Sequence, residues 1–415
     1  MSTVYELAKT DFAPPKTVEE LRTYLQAALE IEHLTIPVYL TGLYSIVPGT
    51  NAYGCEVIRG VVLEEMLHLT LAANLLNAVG GTPDLSHVVR SYPARLPFAA
   101  PSLPLIKLRH YSPEALKTFM RIELPRSLVP PDPHAQDRTW TSIGQFYAAV
   151  RTGLDTLEKA AREQNRTIFT GPAGHQLGPA DFYNSGGEVF PVTGLGSALL
   201  AVDVISEQGE GSQDTIWDSD DKIFGEERQV AHYFRFKEIH EGRRYGKHDL
   251  PRSAPSGPLL DITWDDAYPI DPEAKLADYA GNPELHRQAA KFNKRYAFMM
   301  ALLEVAFHGS PRLMHEAVPQ MLALRDESQR LYRNPHPKAD LAAKGLHAAP
   351  TYELDAKLFA EARAEAARRV RTQAQSATVP AQSAHSSSTH SSSAKDSPKD
   401  SAKDSAKDSP KEQRA

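Results

Sequence analysis

The sequence predicts a mainly α-helical protein, built as a bundle of long helices with a long insertion between the second and third, extra helices towards the C-terminus, and a disordered tail. Three observations support this fold class. Apolar residues recur every three or four positions in several long segments, which is helical spacing. The second of these segments is apolar on almost every side, as expected for a helix at the centre of a core. From about residue 373 onward, Ser, Ala, Lys, Asp and His dominate, so no apolar face exists there.

The overall composition allows a large core and excludes some classes of partner. The 415 residues are 41% hydrophobic, and the formal net charge is −6 at pH 7. This balance argues against nucleic-acid binding, which requires many lysines and arginines to neutralise phosphates. The single cysteine, Cys55, excludes an internal disulfide. The N-terminus lacks the basic segment followed by an apolar segment that is typical of a secretion signal. We therefore expect a cytoplasmic protein. No segment reaches 18 uninterrupted apolar residues, so we expect no membrane partner.

The first two helices are the strongest predictions. T-V-E-E at Thr17 is a capping-box pattern and predicts a helix from there to about Val47. Pro37 lies inside this helix and predicts a kink just past Glu32. A second helix is predicted at about 51–79, closed by a Gly-Gly-Thr-Pro sequence.

The rest of the chain divides more coarsely. We predict an N-terminal arm at 1–16, a helical domain at 17–335, a C-terminal helical extension at 336–372 and a Lys/Asp/Ser tail at 373–415. The proline-rich stretch at about 84–192 is interpreted as an insertion covering one end of the bundle, with one amphipathic helix near 143–163. Further helices are predicted at about 194–208, 226–241, 283–307, 311–332 and 351–371.

An E-x-x-H motif on the second helix carries the first indication of chemistry. Glu65 and His68 are three residues apart, so both point to the same side of a helix that is otherwise leucine and valine. A buried carboxylate costs several kcal/mol unless a partner cancels its charge, and a metal ion is one such partner. Glu32, on the apolar face of the first helix, completes half of a metal site.

The second half requires a glutamate on a third helix and an E-x-x-H on a fourth. In ferritin-like bundles that bind two iron or manganese ions, two helices each contribute a Glu and two others each contribute Glu-x-x-His. Glu207 fits the third helix and His232 the fourth, although Gln229 replaces the expected glutamate. Glu238 could compensate for the missing glutamate, but it lies about 120° from His232 around the helix, so we place it beside the ligands rather than among them. We predict a catalytic role for it. The sequence thus predicts a ferritin-like four-helix bundle.

Other interpretations of these residues stay open. An E-x-x-H also occurs by chance, either as an ion pair on a solvated face or as a core histidine held by a carboxylate. The apolar surroundings, the matching Glu32 and the second Glu/His pair favour metal binding. Glu210, one turn beyond Glu207, is an alternative ligand, and Arg235 is placed to pair with a carboxylate.

The residues around these motifs resemble a known family. Four strings carry the resemblance: Glu32–Ser45 (E-H-L-T-I-P-V-Y-L-T-G-L-Y-S), Ile58–Pro83 (containing V-V-L-E-E-M-L-H-L), Glu207–Gly211 (E-Q-G-E-G) and His232–Ile239 (H-Y-F-R-F-K-E-I). They are similar to the iminophenyl-pyruvate dimer synthase family, the ferritin-like domain of the enzymes that couple indole-pyruvate imines in violacein and rebeccamycin biosynthesis. The resemblance spans about Leu21–Pro335.

The resemblance implies a metal-dependent oxidoreductase and a set of ligands. Glu32, Glu65, His68, Glu207 and His232 are the implied metal ligands. The substrate is not fixed by the resemblance, because family members occur in varied contexts. A haem is a further candidate cofactor, since some relatives in pigment pathways are associated with one, but the sequence itself does not support it.

Several neighbouring residues have assigned or alternative roles. Glu64 shares the face of His68 and is an alternative to Glu65 as ligand, whereas His33 is predicted to be a hydrogen-bonding core histidine. Three tyrosines are placed to approach the site: Tyr39, Tyr44 and Tyr233. Tyrosines at helical spacing are usually packing residues, and only Tyr39 is kept as a catalytic candidate. Cys55 is predicted to be a small buried residue.

The predicted chemistry is redox chemistry on a small organic substrate. We expect two metal ions, iron rather than manganese, that activate dioxygen or peroxide. Four arginines of the insertion are candidate contacts for a substrate carboxylate: Arg90, Arg95, Arg121 and Arg126. The alternatives are a manganese-catalase-like enzyme, a cage-forming iron-storage protein and a structural bundle without metal. A homo-oligomer is compatible with the sequence.

Overall fold

A computed structural model of the chain describes residues 12–88, 90–100, 103–129, 139–183, 187–212 and 215–378. The chain divides into two units, Met1–Arg371 and Thr372–Ala415. The helical bundle lies in the first unit. Most of the predicted N-terminal arm lies outside the described residues, and so do residues 379–415 of the tail that was predicted to begin at residue 373. Residues 373–378, predicted as disordered tail, are helical.

Two long helices form the centre of the bundle. Helix α1 spans Val18–Ser45 and α2 spans Ala52–Ala78. The hydroxyl of Thr17 accepts a hydrogen bond from the Glu20 amide at 3.1 Å, which caps α1 at the predicted position. Arg22, near the start of α1, donates to the carbonyl of Val79, just beyond the end of α2, so the two helices run antiparallel.

Seven further helices follow along the described chain, several of them closely matching the predicted ranges. They are α3 (Pro113–Ile122), α4 (Ile143–Arg162), α5 (Leu195–Glu210), α6 (His232–Glu241), α7 (Pro283–Phe307), α8 (Met314–Tyr332) and α9 (Ala356–Thr378). Single helical turns lie at Asp220–Ile223 and Ala339–Ala342. Serine caps begin α3 and α4, where the Ser112 and Ser142 hydroxyls accept hydrogen bonds from amides three residues later.

One side of the central pair is covered by four shorter helices. Helices α3 and α4 contact α1, while α5 and α6 contact α2, and they also pair as α3 with α6 and α4 with α5. Tyr24, early in α1, stacks on Phe146 of α4, whereas Tyr39, late in α1, packs against Phe119 of α3. The shorter helices therefore lie end to end along the long ones, and their ends meet at the middle of the bundle.

The opposite side of the central pair is covered by the C-terminal helices. Helix α8 contacts α1, and α7 contacts α2. Gln329 of α8 donates to the carbonyl of Tyr44 at 2.6 Å, and Arg363 of α9 pairs with the buried Glu304 of α7 at 2.7 Å. Because both sides of α1 and α2 are covered, these helices are apolar nearly all the way round.

The mainly helical fold class is confirmed, with local differences. Helix α3 was not predicted, and it lies with α4 inside the segment that we interpreted as an insertion. The helix predicted at about 226–241 begins at His232. It starts later than predicted because the backbone of Gln229 forms hydrogen bonds with Asp218. In the part of the chain described above, β pairing consists of isolated bridges. No helix within those ranges is both long and apolar enough to cross a bilayer.

Candidate metal centre

Three buried side chains from the two long helices converge near the middle of the bundle. Glu32 lies on α1, and Glu65 and His68 lie one turn apart on α2, each at most 3% exposed. His68 Nδ1 lies 3.6 Å from Glu32 Oε2 and 3.9 Å from Glu65 Oε1. One potential ligand atom of each residue lies within 4.8 Å of the others, a spacing at which they could hold a metal ion.

A second group shares Glu65 with the first. Glu123 directly follows α3, and His232 is the first residue of α6. His232 Nδ1 lies 2.9 Å from Glu65 Oε1 and 3.7 Å from Glu123 Oε2. Thr35 holds the other oxygen of Glu65 with a hydrogen bond of 2.9 Å. Glu65 Oε1 therefore faces both histidines, and the arrangement offers two adjacent metal positions with a common ligand.

The two unshared carboxylates each accept a hydrogen bond from a buried tyrosine. Tyr147 of α4 donates to Glu32 Oε1, and Tyr39 of α1 donates to Glu123 Oε1. In both cases the other oxygen, Oε2, faces the histidine of the same group. The tyrosines thereby restrain each carboxylate so that one of its oxygens points into the centre.

The ring of His68 is oriented by a glutamine on α5. Gln208 Nε2 donates to the carboxylate of Asp220 at 3.0 Å, which places the amide oxygen 2.8 Å from His68 Nε2. An amide oxygen only accepts hydrogen bonds, so His68 Nε2 is the protonated nitrogen. His68 Nδ1 consequently faces the centre and is the ring nitrogen available to a metal ion.

The ring of His232 is oriented by an ion pair. Arg235 donates to both oxygens of Glu64, and Glu64 Oε2 lies 2.6 Å from His232 Nε2. An ionised carboxylate is an acceptor, so His232 Nε2 carries the proton here too. His232 Nδ1 is buried and has no hydrogen-bond partner among the described residues, although it lies beside two carboxylates. His232 Nδ1 is therefore placed to bind a metal ion together with these two carboxylates.

Electrostatics at this centre favour a bound cation. Burial, followed by the carboxylate of Glu123, raises the pKa of Glu65 to about 7. Although burial alone would lower the pKa of His68, the carboxylates of Glu32 and Glu65 raise it. The carboxylates around His232 likewise raise its pKa above the usual value, against the effect of burial. Three buried carboxylates and two imidazoles fit two divalent cations that prefer oxygen and nitrogen ligands, such as iron or manganese.

A small recess lies beside the centre and is lined in part by Glu210. Its wall is formed by the start of α4 and the last turns of α5. Glu210 Oε1 accepts from the Gly144 amide at 2.6 Å, and Oε2 accepts from the Arg126 amide at 3.2 Å. Burial raises the pKa of Glu210 to about 7. The carboxylate thus lies between the surface and the centre without belonging to either group.

The part of the chain that matches a known protein family contains the residues of this centre. A model of the ferritin-like family, described as "Ferritin-like", matches residues 25–241, just over half of the chain. The chain belongs to the ferritin-like family. The matched range begins in α1, ends at the last residue of α6 and contains every residue of the two groups.

Two known proteins are similar to this ferritin-like protein over most of its length. Dichlorochromopyrrolate synthase from Lentzea aerocolonigenes is 28% identical over 339 residues, which are 75% of this chain and 31% of the relative. The chain therefore spans about a third of the length of this curated relative. A crystal structure of a ferritin-like protein from Caulobacter vibrioides matches with a TM-score of 0.53 and 24% identity, covering 82% of this chain and 99% of that one. This second likeness supports the fold.

Four of the five predicted ligands are brought together in this ferritin-like protein, and one is not. Glu32, Glu65, His68 and His232 lie in the two groups. Glu207 lies outside them, and its carboxylate accepts a hydrogen bond from Ser219. Its neighbour Gln208 occupies the side of α5 that faces His68, and consecutive residues of a helix point about 100° apart.

The two predicted catalytic residues lie in different places. Tyr39 touches the centre through its hydrogen bond to Glu123. Glu238 lies elsewhere, because its carboxylate accepts from the Tyr53 hydroxyl and from the Tyr245 amide at 2.6 Å. Their catalytic roles stay predictions.

The remaining candidates have structural partners. His33 is buried and hydrogen-bonds to the Tyr296 hydroxyl, while the Tyr44 hydroxyl donates to the carbonyl of Met321 at 3.2 Å. Tyr233 packs edge-on against Phe234. The Cys55 thiol is half-buried, and burial raises its pKa. Arg90 and Arg95 are exposed and donate to backbone carbonyls.

Sequence reasoning missed Glu123 and Tyr147. Glu123 continues the apolar stripe of Leu116 and Phe119 at helical spacing, and a carboxylate on such a stripe is a recognisable signal. The signal was overlooked because α3 is short and lies between proline-rich loops. Tyr147 lies on the buried face of a helix that was predicted, but its contact with Glu32 depends on how α4 packs.

The stability of the metal-free protein should fall as the pH rises from about 4.5 to above 7. The folded pKa of Glu65 is raised from 4.5 to about 7, so in this window the folded state holds a proton that the unfolded chain has released. Ionising the buried Glu65 lowers the free energy of unfolding by an amount on the order of 3 kcal/mol. This loss is absent below pH 4.5 and fully present above pH 7. Thermal unfolding of chelator-treated protein at several pH values measures it. A Glu65→Gln variant should show a shallower pH dependence, and an unchanged slope would contradict this assignment.

A Gly144→Ala substitution should displace the Glu210 carboxylate. A Cβ atom at this position would lie 2.2 Å from Glu210 Oε1, so the glutamate must move and lose its hydrogen bonds to the Gly144 and Arg126 amides. We expect a loss of about 1–3 kcal/mol in the free energy of unfolding, measured by urea denaturation. Gly196→Ala on α5 is the control, because nothing lies within 4 Å of its Cβ position. Equal stabilities of the two variants would refute the contact.

Proposed function

We propose that this protein is a metal-dependent oxidoreductase with a two-metal centre, most consistent with iron, that acts on a small organic substrate with dioxygen or peroxide. Glu32, Glu65 and His68 hold one ion. Glu65, Glu123 and His232 hold the other. The proposal deepens the family assignment, and the relation to a synthase of secondary metabolism supports an enzymatic role.

One observation carries the proposal. Two buried histidines direct their Nδ1 atoms at a single carboxylate oxygen, Glu65 Oε1, while their Nε2 atoms are held by other side chains. In both rings Nε2 faces an acceptor and Nδ1 faces the centre, so Nδ1 is the nitrogen that can bind a metal ion, releasing any proton that it carries in the metal-free protein.

The chemistry that two such ions supply when bound is the activation of an oxidant close to an organic substrate. The protein's own contribution is orientation and exclusion of water. Tyr39 and Tyr147 fix the carboxylates of Glu123 and Glu32, and the surrounding leucines and valines keep the centre dry. The carboxylate of Glu210 lines the recess beside the centre and is held by the Gly144 amide.

We infer that the substrate carries a carboxylate and an apolar ring. Arg121 lines a recess with Trp140 and Ile122, directly next to Glu123 in the chain. An arginine binds a carboxylate in two-point contact, so Arg121 is a candidate partner for the carboxylate of the substrate. This choice agrees with the sequence resemblance to imine-coupling synthases, whose indole-pyruvate imines are aromatic acids.

The test is an activity assay combined with metal analysis. Protein loaded with ferrous iron is incubated with indole-pyruvate imine in air, and oxygen uptake and coupled products are measured by electrode and mass spectrometry. We expect about two metal ions per chain and metal-dependent product formation. Glu123→Ala should lose one ion and the product formation, and Glu207→Gln should retain both ions and the activity. Rapid oxygen release from peroxide without an organic substrate would instead indicate a catalase-like enzyme. Absence of bound metal would refute the proposal.

A further inference from the structure

We propose that the two metal positions are unequal, and that the position formed by Glu65, Glu123 and His232 binds its ion first and more tightly than the position formed by Glu32, Glu65 and His68. This inference rests on the proposed two-metal function. It concerns the order and strength of binding, which the proposed function leaves open.

The charge behind His232 is the first reason. Its Nε2–H group donates to Glu64, a carboxylate that Arg235 keeps ionised by contacting both oxygens. A carboxylate that accepts the far proton of an imidazole makes the near nitrogen a stronger donor to a metal ion. Both Glu64 and Arg235 are buried, at 3% and 6% exposure, so water does not weaken this effect.

The partner behind His68 is neutral. Its Nε2–H group donates to the amide oxygen of Gln208, at 2.8 Å, and Gln208 in turn donates to Asp220. An amide oxygen orients the ring as well as a carboxylate does. It is a weaker acceptor of the Nε2 proton, so it increases the electron density on Nδ1 less than a carboxylate does. His68 is therefore expected to be the weaker of the two imidazole ligands.

The distances within the two groups also favour tighter binding at the position that contains His232. Two ligand atoms at right angles around an ion, each about 2.1 Å away, lie about 3 Å apart. His232 Nδ1 and Glu65 Oε1 are separated by 2.9 Å, so this pair already has that spacing. His68 Nδ1 and Glu65 Oε1 are 3.9 Å apart and must approach each other when an ion binds. The first position is better preorganised.

Manganese titration of the metal-free protein tests the inference. Mn²⁺ is added stepwise at constant pH, and the free ion is followed by electron paramagnetic resonance. We expect two binding steps whose affinities differ by about 10- to 100-fold, the range that such outer hydrogen-bond partners control. Two equal steps would overturn the inference but leave the proposed function standing, whereas failure to bind Mn²⁺ would overturn both.

Two reciprocal variants assign the steps to their positions. Glu64→Gln should weaken the tighter step by about 10-fold or more and leave the weaker step unchanged. Gln208→Met, which removes the acceptor behind His68, should weaken only the weaker step. If Glu64→Gln unfolds because Arg235 has lost its partner, the double variant Glu64→Gln/Arg235→Met removes both charges and makes the same measurement. The opposite assignment, or equal effects on both steps, would overturn the inference.

Discussion

The Glu65→Gln variant is expected to lose metal binding at both positions. Glu65 Oε1 faces both His68 and His232, at 3.9 and 2.9 Å, so it is the one carboxylate shared by the two groups. Replacing it with a neutral amide of the same shape removes the anionic ligand from both ions at once. We expect affinity losses beyond the 10- to 100-fold typical of outer partners, and near-complete loss of activity.

Metal content after dialysis, measured by elemental analysis, checks this result for the Glu65→Gln variant. Glu32→Gln is the comparison, because Glu32 belongs to one group only and its loss should leave about one ion per chain. Both variants keep the size of the side chain, which limits effects on packing. Retention of two ions by Glu65→Gln would show that the carboxylate is not shared.

The Glu123→Ala variant is expected to lose one metal ion and its activity, whereas Glu207→Ala should keep both ions. Glu123 lies with Glu65 and His232 in one group, while the carboxylate of Glu207 hydrogen-bonds to Ser219 outside the centre. The sequence pattern alone predicts the opposite outcome for this pair. Elemental analysis and the oxygen-uptake assay distinguish the two expectations.

Thermal unfolding of both variants is the necessary control. Glu123 is buried at 6% exposure and is the acceptor of the Tyr39 hydroxyl, so its loss will also lower stability. The comparison is therefore made on folded, chelator-treated protein reloaded with metal. A variant at Glu207 that loses an ion while Glu123→Ala retains two would restore the sequence-based ligand set.

The central helices and their ligands could be predicted from the sequence because the signals there are local. A helix that is apolar all round, with Glu65 and His68 one turn apart, specifies both its burial and the shared face. Glu32 follows from the same reasoning on α1. His232 was found by extending the pattern, although the helix that carries it begins only at that residue.

The sequence indicates that Glu123 is buried on the apolar stripe of a short helix, but its place in the metal centre depends on tertiary packing. The ferritin-like pattern predicts the third carboxylate on the helix before His232 and therefore favours Glu207 on α5. In the structure, α5 directs Gln208 at the centre, and the carboxylate comes from Glu123 at the end of α3. Which end of which short helix meets the middle of α1 and α2 is decided by long-range contacts that spacing rules do not contain.

The most direct measurement of the central claim is the anomalous X-ray scattering of crystals saturated with Mn²⁺. Two peaks about 3.5–4 Å apart, as in other two-metal sites, are expected on either side of Glu65 Oε1, one beside His68 and the other beside His232. A single peak, or peaks away from both histidines, would contradict the account.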